Sequence, residues 1–92
     1  MAEICEQDVV LPNGNGLHMR PATALINKAN EFRSEISISK GDHAVNGKSI
    51  MELLTLAAPK GTSLRIRAEG EDARSAVDAI VELIEDGFGE SP

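Results

Sequence analysis

Glu35-Ile36-Ser37-Ile38-Ser39-Lys40-Gly41-Asp42-His43-Ala44-Val45-Asn46 is the stretch whose pattern decides the fold. Ile36 and Ile38 alternate with Glu35, Ser37 and Ser39. Successive side chains on a strand point to opposite faces, so this strand has one dry face and one wet face. Gly41-Asp42 then marks a turn into a second short strand, His43 to Asn46. Working upstream, Ala22, Leu25, Ile26 and Ala29 recur at helical spacing, which predicts an amphipathic helix over Met19 to Phe32. The run Pro12-Asn13-Gly14-Asn15-Gly16 before it is a loop. Ahead of that loop, Cys5, Val9 and Leu11 share one face of a strand over Ile4 to Leu11, interrupted by Gln7.

Downstream, Ser49-Ile50-Met51-Glu52 has the spacing of a capping box, in which Ser49 caps a helix and Glu52 returns the bond. Leu53, Leu54 and Leu56 follow, and Pro59-Lys60-Gly61 stops a short helix. Leu64, Ile66 and Ala68 alternate with Ser63, Arg65 and Arg67, giving another half-buried strand. Asp72 is placed to cap a last helix whose face is Ala73, Ala76, Val77, Ile80 and Ile84, with Gly87 ending it. The order is βαββαβα. One apolar face per strand and one apolar stripe per helix imply an α+β open-faced sandwich: a four-stranded antiparallel sheet with three helices on one face. The 92 residues suit a single domain over 1–92, with residues 87–92 expected to fray.

Composition removes several functions. A net charge of −6 argues against a nucleic-acid binder, which needs Lys and Arg to neutralise phosphates. With two Phe and no Tyr or Trp, there is no aromatic platform for bases. The lone Cys5 can form neither an internal disulfide nor a CxxC metal pair, so it reads as a small core residue, and no metal or cofactor is expected. His43 reads as a surface residue. No apolar run approaches the ~20 residues of a membrane span. The acidic, polar start does not read as a signal peptide. A soluble, cytoplasmic monomer is the expectation.

Gly16-Leu17-His18-Met19-Arg20-Pro21-Ala22 carries the chemistry. The glycine-rich loop enters the first helix here, where backbone N–H groups lack intrahelical partners and the helix dipole is positive. Such an end attracts anions. Pro21 fits a first turn because its missing N–H costs nothing there. A neutral imidazole at His18 keeps a lone pair for nucleophilic attack. A phosphoryl group placed there would meet N–H donors and a guanidinium fork. Gly14 and Gly16 would let a partner approach closely.

These residues closely resemble the active-site signature of the HPr family, the histidine-containing phosphocarriers of the bacterial phosphotransferase system. Ala or Thr is more usual where this chain has Met19. Val45-Asn46-Gly47-Lys48-Ser49-Ile50-Met51 is similar to the family's regulatory serine segment, and Gly61-Thr62 and Ala68-Glu69-Gly70-Glu71-Asp72-Ala73 extend the likeness over nearly the whole chain. The resemblance implies that His18 accepts a phosphoryl group on Nδ1 from phosphorylated enzyme I and passes it to an enzyme IIA-type acceptor, without being an enzyme itself. It implies that Arg20 contacts the phosphate and that Asn15 matches a loop asparagine of some members. It also implies that Ser49 is the target of an HPr kinase/phosphorylase. Asn27 and Asn30 stand where some members carry partner-binding lysines, with only Lys28 nearby. Sugar-related and nitrogen-related branches of the family both remain open.

Met19, Ile50, Met51 and Leu54 form a candidate docking patch for partners, Met being adaptable at shared surfaces. Ile50 and Leu54 have an equal claim to the core. Rival classes place different demands on the sequence, and a heavy-metal-binding ferredoxin-like domain fails on cysteine count. An HPr-like regulatory protein would act mainly by binding other proteins. A small ligand-binding domain would not need the Leu-His-x-Arg-Pro start. An acylphosphatase-like enzyme would need an arginine in the loop Pro12 to Gly16, which has none.

Overall fold

A computed structural model describes residues 3–12 and 16–89. Its elements run β1 (Glu3–Val10), α1 (Met19–Ala29), β2 (Glu35–Lys40), β3 (His43–Asn46), α2 (Ile50–Leu54), β4 (Ser63–Gly70) and α3 (Ala73–Glu85), then a short 3₁₀ turn at Gly87–Gly89. The four strands form one antiparallel sheet in the order β1-β4-β2-β3, so the last strand lies between the first two. The expected α+β architecture is the observed one.

Register explains which side is covered. Val9 lies opposite Leu64 and Cys5 opposite Ala68, while Ile36 faces Ala68 and Ile38 faces both Ile66 and Val45. Apart from the half-buried Cys5, these side chains are buried, against Ala22, Leu25 and Ala29 of α1, Leu53 of α2, and Ala76, Val77, Ile80 and Ile84 of α3. Gln7 lies opposite Ile66 yet stays exposed, because β1 is an edge strand. The other face carries charge: Asp8 pairs with Arg65 at 2.9 Å, and Arg67 reaches Glu6 at 3.8 Å and Glu69 at 3.5 Å.

Four expectations need correction. First, α1 stops at Ala29 instead of Phe32. Second, Asp72 sits at the start of α3 without a side-chain cap bond. Its carboxylate instead accepts Arg33 N–H and Ser34 N–H, each at 2.9 Å, and the Ser34 hydroxyl at 2.5 Å. These bonds to residues 38 and 39 positions away turn the chain from α1 into β2, which accounts for both differences. Third, the capping box is half made. Ser49 Oγ accepts Glu52 N–H at 3.3 Å, but Glu52 Oε1 takes the N–H of Asn46 at 3.1 Å, and Ser49 N–H goes to Asn46 O. Fourth, Gly87–Gly89 is packed: Phe88 is only 7% exposed, because its ring joins the aliphatic core. Residues 90–92 lie outside the described residues.

Candidate functional site

The site is built on a contact that no pattern announced. Leu17 is buried, and its N–H donates to Ala58 O at 2.8 Å. Gly16 packs so closely on the same segment that a Cβ there would stand 2.3 Å from Ala58 O and 2.7 Å from Pro59 Cα. Its φ of +68° lies in the left-handed region that glycine occupies without penalty. The α2–β4 loop thus serves as the seat on which the entry to α1 rests. Ala57, next to the seat, holds φ +47°, an uncommon conformation for a residue with a Cβ, and its carbonyl accepts Lys40 Nζ at 3.3 Å. A carbonyl acceptor leaves no mark in a sequence; only the Pro59-Lys60-Gly61 stop hinted that the chain turned here.

His18 follows as the N-cap of α1, with extended backbone (φ −113°, ψ −167°) and no side-chain cap bond. Its carbonyl accepts Ala22 N–H at 2.9 Å, the first rung of the helix. Pro21, fully buried, has no N–H, so the donors this helix end can turn toward an anion precede it. The His18 ring is half-exposed, but its Nε2 is buried and has no hydrogen-bond partner among the described residues. Met19 and Arg20 are exposed, and the Thr23 hydroxyl bonds Met19 O at 2.8 Å. Asn15 and Gly14 lie outside the described residues.

Ser49 is the half-buried N-cap of α2. Met51 is 76% exposed and Met19 59%, whereas Ile50 and Leu54 are half-buried and pack on the core. Helices α1 and α2 pack against each other, so the two exposed methionines belong to adjoining elements. His43 is exposed, and its Nε2 lies 3.0 Å from Thr55 Oγ1. Because that hydroxyl donates to Glu52 O, it must accept from His43, which puts a proton on Nε2. Among the described residues, no group of three or more His, Cys, Asp or Glu could hold a metal, and no helix is long and apolar enough to cross a membrane.

A half-exposed imidazole at a helix start, two positions before an exposed arginine, is an arrangement suited to carrying a transferable group. Comparison with known proteins agrees. The family model for the PTS HPr component phosphorylation site matches residues 5–86. The phosphocarrier protein HPr of Neisseria meningitidis is 41% identical over 85 residues, covering 92% of this chain and 96% of that protein. The multiphosphoryl transfer protein of Salmonella typhimurium is 40% identical over 91 residues, covering 96% of this chain but 24% of that larger protein. The crystal structure of HPr-C-His from Thermoanaerobacter tengcongensis superposes with a TM-score of 0.91 at 39% identity, covering 96% of this chain and 99% of that one. The chain belongs to the HPr family of phosphocarriers of the phosphotransferase system.

Proposed function

We propose that this chain, acting as one domain and as a cytoplasmic monomer, takes a phosphoryl group onto Nδ1 of His18 from phosphorylated enzyme I. It then gives the group to an enzyme IIA-type acceptor. The observation that carries this reading is the inward turn of His18 Nε2, which leaves Nδ1 as the nitrogen for attack from solvent. In the forward step a P–N bond forms at His18 as the donor's bond to phosphorus breaks, and the phosphoryl group changes hosts with its charge. Positioning and charge stabilisation carry most of such a transfer. The N–H groups at the start of α1 and the Arg20 guanidinium supply them. No cofactor or metal is needed, and the chain serves as a protein substrate and not as an enzyme.

Met19 and Met51 offer exposed, adaptable apolar contact for both partners, with Ile50 and Leu54 supporting them from the core side. Ser49 is the proposed regulatory site, phosphorylated by an HPr kinase/phosphorylase. The added charge on α2 would oppose an acidic partner near Met51.

Incubation with enzyme I and labelled phosphoenolpyruvate tests the central claim. The expected product carries acid-labile, base-stable label, and His18→Ala carries none. Label surviving that substitution would overturn the assignment. An acid-stable phosphate made by the kinase with ATP, and absent in Ser49→Ala, tests the second site.

A further inference from the structure

A recess of about 450 Å³ opens on the helix-free side of the sheet, at the end of β2 remote from His18. β2 runs from Glu35 at this recess to Lys40, whose ammonium reaches Ala57 beside the seat of the phosphorylation loop. The recess and the histidine therefore lie at opposite ends of the same strand. Its floor is small and polar: Ser37 lies opposite both Arg67 and Asn46 in the register. Its rim brings together Arg33 from the α1–β2 turn and Lys48 from the β3–α2 turn.

We infer that this recess binds a small hydroxylated phosphomonoester. The charge pattern is the first reason. The protein has 15 acidic residues against 9 Lys and Arg, yet among the described residues no carboxylate pairs with Arg33 or Lys48. Lys48 spends one ammonium proton on Phe32 O at 2.7 Å and keeps two donors. Arg33 is held by its backbone N–H on Asp72, so its position at the rim is set without using its guanidinium. Arg67 is a shared third cation, since its contacts to Glu6 and Glu69 are 3.8 and 3.5 Å and yield readily to a better acceptor.

The neutral part of the ligand follows from the rest of the lining. Ser37, Asn46 and Glu35 offer hydroxyl, amide and carboxylate partners for hydroxyl groups. No aromatic side chain lines the recess to stack a base, which disfavours nucleotides. The volume is ample for a small phosphomonoester. A net charge of −6 repels long polyanions but not a dianion held locally.

Titration of the full chain with sn-glycerol 3-phosphate, followed by amide NMR shifts, tests the inference. Inorganic phosphate and glycerol serve as comparison ligands. The expected result is saturable movement of the amides of residues 33–37 and 44–48, at about millimolar affinity. Arg33→Gln and Lys48→Gln should each weaken it by about tenfold. Both variants should melt near the parent and accept phosphate on His18 at the parent rate. Three results overturn the proposal: no saturation, shifts centred on residues 16–20, or equal binding of inorganic phosphate, which would mean an adventitious ion only.

Discussion

Replacing Gly16 with alanine should disable the site while leaving the protein folded. Alanine at φ +68° pays about 1–2 kcal/mol for left-handed geometry. Its Cβ would also meet Ala58 O at 2.3 Å and Pro59 Cα at 2.7 Å, both backbone atoms that no rotamer change can move aside. One segment must therefore shift, and the bond from the Leu17 N–H to Ala58 O is lost. A buried donor left without a partner costs about 1–3 kcal/mol, so the total is about 2–5 kcal/mol. A domain of this size holds about 5–15 kcal/mol in all, so the variant stays largely native at 25 °C. At about 4–8 °C per kcal/mol, its Tm should fall by at least about 8 °C. Gly41→Ala is the control: φ is +58° but nothing lies within 4 Å, so it pays the backbone cost alone. Calorimetry of both variants, with phosphoryl transfer measured well below each melting point, separates the two contributions. Equal Tm values, or Gly16→Ala with unimpaired transfer, would refute the idea that the Ala58–Pro59 seat positions His18.

Ala57→Gly should stabilise by about 0.5 kcal/mol, since relief of about 1–2 kcal/mol of left-handed strain outweighs about 0.5–1 kcal/mol of added chain entropy; a lower Tm would remove strain as the explanation of φ +47°. The Asp72 carboxyl is held below its ordinary value of 3.8, chiefly by the Ser34 hydroxyl and then by the Arg33 N–H. A lowered folded value contributes stability above the unfolded value that is lost as pH falls through the folded one, so Asp72→Asn should flatten the fall in stability below about pH 4. Unchanged steepness in chemical denaturation across that range would show that Asp72 contributes nothing there. Phe88→Ala should cost at least about 2 kcal/mol by urea denaturation because the ring is buried. A cost near zero would restore the frayed tail.

The fold was legible wherever side-chain period and face agree. Ile36 and Ile38 in β2, Leu64, Ile66 and Ala68 in β4, and the stripe from Ala73 to Ile84 all bury the face their spacing selects. What escaped were interactions between segments distant in sequence. Asp72 has the residue type of a helix cap, but its geometry serves the turn at Arg33 and Ser34. Glu52 has the spacing of a capping box, but the N–H of Asn46 takes its carboxylate. For the site, the helix-end position of His18 was readable from Gly16 and Pro21. The burial of one of its two ring nitrogens was not, because it depends on tertiary packing that residue spacing does not encode.

The central place of β4 also sets when the molecule can assemble. In the sheet β1 has one neighbour, and that neighbour is the last strand made. Asp8 waits 57 positions for Arg65, and Leu17 waits for the Ala58 carbonyl. During synthesis only the β2–β3 hairpin and isolated helical turns have local partners, and pairings this distant in sequence are slow to form. The His18 segment therefore has to wait for Ala58 and Pro59, and β1 for β4, before either can take its place. An N-terminal fragment would carry the Gly16–Ala22 motif without the Ala58–Pro59 seat on which it rests.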